Sequence, residues 1–127
     1  MKRAWLLALL LGLWGPHASA APPLVQMVAV GDVAFRGSVG KAVAEGTVDP
    51  FAAVRQRLMA DLRFANLETV LTLRKLPDPA SSRQFPIIRS PPQSAKLLAQ
   101  VGFDVVSVAN NHAFDFYAPG FLDTLSH

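Results

Sequence analysis

The sequence predicts an α/β fold with mostly parallel strands, and three observations carry that prediction. Apolar, valine-rich runs at residues 25–30 and 105–109, with a shorter one at 63–67, alternate with segments of helical spacing. Each run stops at a polar cluster: Gly31-Asp32, then Asn66 with Glu68, then Asn110-Asn111-His112. The composition is that of one modest globular domain, since 127 residues with 51% hydrophobic and 17% charged side chains exclude a disordered or collagenous chain. With no cysteine, a disulfide-stapled mini-protein, thiolate catalysis and Cys-ligated zinc are excluded as well.

The first element is a leader. Lys2 and Arg3 precede an apolar run over residues 4–14, followed by Gly15-Pro16 and the small-residue end Ala18-Ser19-Ala20. That three-part pattern predicts a secretory signal peptide over residues 1–20, cut after Ala20, with a mature chain of residues 21–127. At ~1.5 Å per helical residue the run covers only about half of a bilayer core, so a retained anchor is the weaker reading. The predicted destination is the periplasm or cell envelope.

Residues 25–30 then suit a strand buried on both faces that ends at the Gly31-Asp32 turn. Residues 33–48 carry Gly37, Gly40 and Gly46 without sustained periodicity and read as a loop. Asp49-Pro50 offers an N-cap with proline at the first helical position, and Phe51, Val54, Leu58 and Leu62 follow at helical spacing, so a helix is predicted there. A second strand is expected at 63–67, with 69–73 continuing as extended chain. Five prolines between 77 and 92 predict a long irregular connection holding at most a short extended piece at 85–88. Ser90-Pro91-Pro92-Gln93 has the layout of a capping box opening a helix that closes at Gly102, a left-handed C′ position. A third strand over 105–109 follows, and Pro119 is expected to open a last helix through Phe121, Leu122 and Leu125.

The charge balance weighs against nucleic acid as a partner. Of 12 Lys+Arg against 9 Asp+Glu, two basic residues belong to the leader, and the others are scattered without aromatic interleaving. Gly37-Ser38-Val39-Gly40-Lys41 imitates a phosphate-binding loop, but Phe35 stands where the first glycine belongs and Ala42 where Ser or Thr would ligate a metal.

What the topology offers instead is convergence. In open α/β sheets the carboxyl ends of parallel strands share one edge, where ligands bind. Asp32, Glu68 and the amides would supply hard oxygen ligands there, and His112 a nitrogen, a composition suited to Mn, Mg, Fe or Zn with open positions for water. Such a site could activate water against an ester while a histidine protonates the leaving oxygen. Taken singly, each cluster also reads as a strand-ending turn. Asp115 either orients His112 or caps the next turn.

Val30-Gly31-Asp32, Phe64-Ala65-Asn66-Leu67-Glu68, Gly102-Phe103-Asp104-Val105-Val106-Ser107-Val108-Ala109-Asn110-Asn111-His112, Asp115 and Gly120-Phe121-Leu122-Asp123-Thr124-Leu125 together resemble the start of the CapA-type bacterial capsule synthesis domain. That family is associated with poly-γ-glutamate biosynthesis and related to the calcineurin-like metallophosphoesterases. The resemblance implies the N-terminal half of a four-layered α/β sandwich with a centre for divalent metal ions (Mn, Fe, Zn or Mg). It implies Asp32, Glu68 and Asn111 as metal ligands, with Glu68 at the bridging position, and His112 as acid or transition-state stabiliser with Asp115 beside it. Implied partners are an anionic capsular polymer or a phosphorylated or glutamyl substrate, and a membrane-bound synthesis complex. Two departures weigh against classical phosphatase activity: Ala34 stands where a histidine accompanies the first aspartate, and Glu68 replaces an aspartate. Relatives also continue past this length with further histidines, so a truncated domain holding only part of the metal site is expected. The alternatives from the sequence are a non-enzymatic polymer-binding subunit and a non-functional fragment.

Overall fold

The structure is a computed structural model that describes residues 23–75 and 86–127. The leader predicted over 1–20 lies outside the described residues, as does the proline-rich connection from 77 to 85. The fold is α/β, with a three-stranded parallel sheet and three α-helices.

Strand β1 (Met27–Val33) and strand β5 (Val105–Ser107) each pair in parallel with β2 (Leu62–Leu67), which is therefore central. Phe64 faces Val105 and Asn66 faces Ser107 across one side. Across the other, Ala29 faces Phe64 but Asp32 faces Asn66, so the register slips by one residue between Ala29 and Asp32. β3 (Val70–Leu71) and β4 (Arg89–Ser90) form a separate two-stranded parallel sheet. Helix α1 (Gly37–Glu45), helix α2 (Gln93–Val101) and helix α3 (Tyr117–Ser126) complete the described elements.

Leu67, Leu71, Leu97, Leu98 and Val101 make the core together with Phe35, Val43 and Leu58, and the half-buried Val28, Val30, Val33, Val106 and Val108 pack on it. Burial of such aliphatic side chains supplies about 1.5–3 kcal/mol each. Three aromatics extend it edge to face, with ring centroids 6.0 Å apart for Phe35–Phe51 and 5.7 Å for Phe51–Phe103. Among the described residues no helix is long and apolar enough to cross a membrane.

Several local expectations are corrected. Residues 37–45 are helical, not a loop. Gly40 is where this helix meets the preceding chain, since a Cβ there would lie 2.7 Å from the Phe35 carbonyl oxygen. Gly46 closes it at φ 68. The long helix expected from Asp49 does not form: a turn leads into a single 3-10 segment, Arg55–Leu58, and Leu62 already belongs to β2. Asp49 does cap locally, accepting the Phe51 N–H at 2.9 Å, but its other oxygen holds the Arg55 guanidinium at 2.7 Å. Downstream, Asp61 accepts the Gln26 N–H at 2.8 Å, which draws the chain into the sheet.

The capping box is absent as well. Pro92 occupies the N-cap of α2, and the Ser90 hydroxyl accepts the buried Phe35 N–H instead. The short extended piece sits at Arg89–Ser90, just beyond the 85–88 expected. β1 is not buried on both faces but alternates between half-buried and exposed residues. α3 begins two residues before Pro119, at Tyr117 with φ 58. Gly102 behaves as predicted, closing α2 at φ 93, with the Arg63 guanidinium donating to the Val101 and Gly102 carbonyls at 3.0 and 3.2 Å. A cation at that end also complements the helix dipole.

Candidate functional site

The three parallel strands deliver their carboxyl ends to one edge, and a continuous network of side-chain hydrogen bonds runs along it. Asn66, at the end of β2, donates from Nδ2 to Asp32 Oδ1 on β1 at 2.8 Å and to Glu68 Oε2 at 3.1 Å. Its Oδ1 accepts from Asn110 Nδ2 at 3.1 Å, and the same nitrogen reaches the Leu67 carbonyl at 3.0 Å. Asn110 Oδ1 in turn accepts the backbone N–H of His112 at 3.0 Å.

His112 is buried, with 6% of its surface exposed. Its Nδ1 lies 2.7 Å from Asp115 Oδ2, an oxygen that also accepts the Ile88 N–H at 2.6 Å. An ionised carboxylate can only accept, so in this contact Nδ1 is the donor. Nε2 faces Glu68 Oε1 at 3.8 Å. Asp115 thus lies against the imidazole rather than serving the following turn alone.

The two acids respond to each other in opposite directions. Hydrogen bonding, from Asn66 first and Glu68 second, holds the Asp32 carboxyl below the usual carboxylate range. Glu68 is pushed up, chiefly by its hydrogen bond with Asp32, then by burial and by repulsion from the Asp32 charge. Two carboxyls at one site do not both ionise freely, and here Glu68 is the one that keeps its proton longer.

Of the residues singled out from the sequence, Asp32, Glu68, His112 and Asp115 are brought together. Asn111 stands exposed on the turn, and the amide that enters the network is that of its neighbour Asn110. Asn66 and Asn110 were visible in the sequence only as members of polar clusters. Their signal was positional: Asn is depleted within strands, so Asn66 inside β2 asks for a side-chain partner, and Asn110 follows the end of the neighbouring β5 by three residues.

The donor chemistry at this edge is two carboxylates with an amide NH2 between them, and that nitrogen cannot ligate a cation. Among the described residues no group of three or more His, Cys, Asp or Glu side chains is arranged to hold a metal ion. As arranged, these residues do not fit a two-metal centre. A cavity of about 530 Å³ lies elsewhere, lined by Gly46, Thr47, Asp49, Arg55 and Lys96, and includes none of the strand-end acids.

A family model described as bacterial capsule synthesis protein PGA_cap matches residues 26–127. The chain belongs to that family. The match spans every strand end that contributes to the network, so the edge built by Asp32, Asn66, Glu68, Asn110 and His112 lies wholly within the PGA_cap region. No curated protein matches the chain significantly.

Proposed function

We propose that this PGA_cap protein is exported and takes part in the synthesis of a capsular polymer of the poly-γ-glutamate type at the cell envelope. The observation that carries the reading is the family match over residues 26–127, which encloses the whole strand-edge site. The leader pattern of Lys2, Arg3, the apolar run and Ala18-Ser19-Ala20 supports export. The ligand in this reading is the anionic polymer or a phosphorylated or glutamyl precursor, handled within a membrane-bound synthesis complex. At the site, Asp115 fixes the Nδ1–H of His112, and His112 Nε2 exchanges a proton with a group bound beside Glu68.

The test is genetic and chemical. Deleting the gene from its host is expected to abolish surface polymer that releases glutamate on acid hydrolysis. The full chain restores it, and a version lacking residues 2–20 does not. Undiminished polymer in the deletion strain would refute the reading.

A second reading, a non-enzymatic subunit that guides the polymer, is favoured by one observation. The Asn66 amide engages both acids, so one oxygen of each is committed to an internal bond. Complementation with Asp32→Ala separates the two: retained polymer supports the guiding role, and its loss supports chemistry at the acids.

A further inference from the structure

We propose that Asn66 is the positioning residue of this site, holding Asp32 and Glu68 at a fixed spacing through an amide whose direction is set by the backbone N–H of His112. The inference deepens the proposed function and rests on that reading for the role of the two acids. The polarity itself follows from geometry.

Two backbone groups in the network cannot change roles, the His112 N–H and the Leu67 carbonyl. A backbone N–H only donates, so the atom of Asn110 that meets His112 N at 3.0 Å is its carbonyl oxygen. The other atom of that amide is then the NH2, as its 3.0 Å contact with the Leu67 carbonyl independently requires. It follows that Asn110 donates to Asn66, and that the atom of Asn66 receiving this bond at 3.1 Å is its oxygen. The NH2 of Asn66 is left facing Asp32 and Glu68, one hydrogen for each carboxyl, at 2.8 and 3.1 Å. Two amides in series thus transmit a direction from the turn after β5, across β2, to the acid on β1.

Neither an acid of the same shape nor an apolar side chain serves at position 66. Aspartate has the same shape but no hydrogen to give, and it would set a third carboxyl against two others. Leucine fills the space but takes away the hydrogen that each acid receives from the amide and the oxygen that accepts from Asn110. The turn that carries the buried His112 is tied into the same series, so the spacing of the acids and the placement of the imidazole are coupled through Asn66.

The experiment uses the purified full chain and the complemented deletion strain. In 1H–15N spectra, the side-chain NH2 of Asn66 is expected to be shifted from the free-amide position and slow to exchange with water. Asn66→Asp is expected to lower the melting temperature by roughly 4 °C or more and to cut polymer output at least tenfold. The swap Asn66→Asp with Asp32→Asn restores a donor facing an acceptor across the two strands but leaves the new carboxyl against Glu68 and removes the Asp32 acid, so it is expected to recover part of the melting temperature and none of the polymer. A purely structural role would let Asn66→Asp recover its polymer when the strain is grown cool enough to keep the variant folded, an outcome that overturns the proposal. An Asn66 NH2 that exchanges like a free amide, or an Asn66→Asp protein with unchanged melting temperature, overturns the proposal. Should Asn66→Asp fail to fold, the wild-type amide signal still decides. Should the deletion strain keep its polymer, the proposed function falls while the spectral and thermal readouts still judge Asn66.

Discussion

The hydroxyl of Ser90 accepts the backbone N–H of Phe35 at 2.8 Å, a buried bond between residues 55 positions apart. It joins the chain leaving β1 to the start of α2, and Phe35 has no strand or helix of its own to receive that N–H. Ser90→Ala leaves the donor buried and unpaired, which costs about 1–3 kcal/mol. Urea denaturation should show a lower midpoint with an unchanged slope.

Asp115 holds two donors on one oxygen, His112 Nδ1 and the Ile88 N–H. Asp115→Ala orphans both and is expected to destabilise the fold by about 1–3 kcal/mol. Asp115→Asn keeps an acceptor of the same shape and should retain more of the stability. Ring 15N shifts of His112 report the difference, with the proton on Nδ1 in the wild type and redistributed toward Nε2 in the alanine variant.

Gly120 faces Phe116 and Val70, where α3 docks on β3. A Cβ at this position overlaps the Phe116 Cβ and lies 3.2 Å from Val70 Cγ1. Both neighbours are buried, so Gly120→Ala is expected to cost about 1–3 kcal/mol through overpacking, read as a drop in melting temperature.

The Arg74 guanidinium, with help from the Thr72 hydroxyl, depresses the Asp123 carboxyl to about 2. For an acid whose folded value lies below its ordinary 3.8, the stabilisation is complete above the ordinary value and disappears as pH falls through the folded one. Docking of α3 should therefore weaken between about pH 4 and pH 2. Asp123→Asn removes that part of the acid dependence, as measured by denaturation midpoints at pH 5, 3.5 and 2. Side-chain exposure of 53% for Arg74 limits the size of the effect.

The alternation of strands and helices, the parallel order and the convergence of Asp32, Glu68 and His112 were legible because they follow from apolar runs ending in polar residues. Helix α1 was not, since Gly37, Gly40 and Gly46 read as loop residues. Two of the three serve contact or closure: Gly40 admits the Phe35 carbonyl and Gly46 ends the helix. The stripe of Phe51, Val54, Leu58 and Leu62 had helical spacing, yet Val54 is 41% exposed and Leu62 is claimed by β2. Tertiary pairing prevailed over local periodicity there. Ser90 misled for a similar reason, because its hydroxyl satisfies a distant N–H rather than the helix start. At the site, the acids were legible as residue types, whereas the entry of Asn110 into the hydrogen-bond network depended on the shape of a turn.

The slip in register between Ala29 and Asp32 changes which way an acid points. Val28 and Val30 turn inward, and strict alternation would send residue 32 after them into the apolar interior. One extra residue shifts the phase, so Val33 goes inward and Asp32 comes out to meet Asn66. Gly31 is the residue spent on that shift, yet its φ is ordinary and a Cβ there would meet nothing within 4 Å. What the Gly-Asp pair encodes at this strand end is a count, and the absent side chain of its glycine is incidental to the fold.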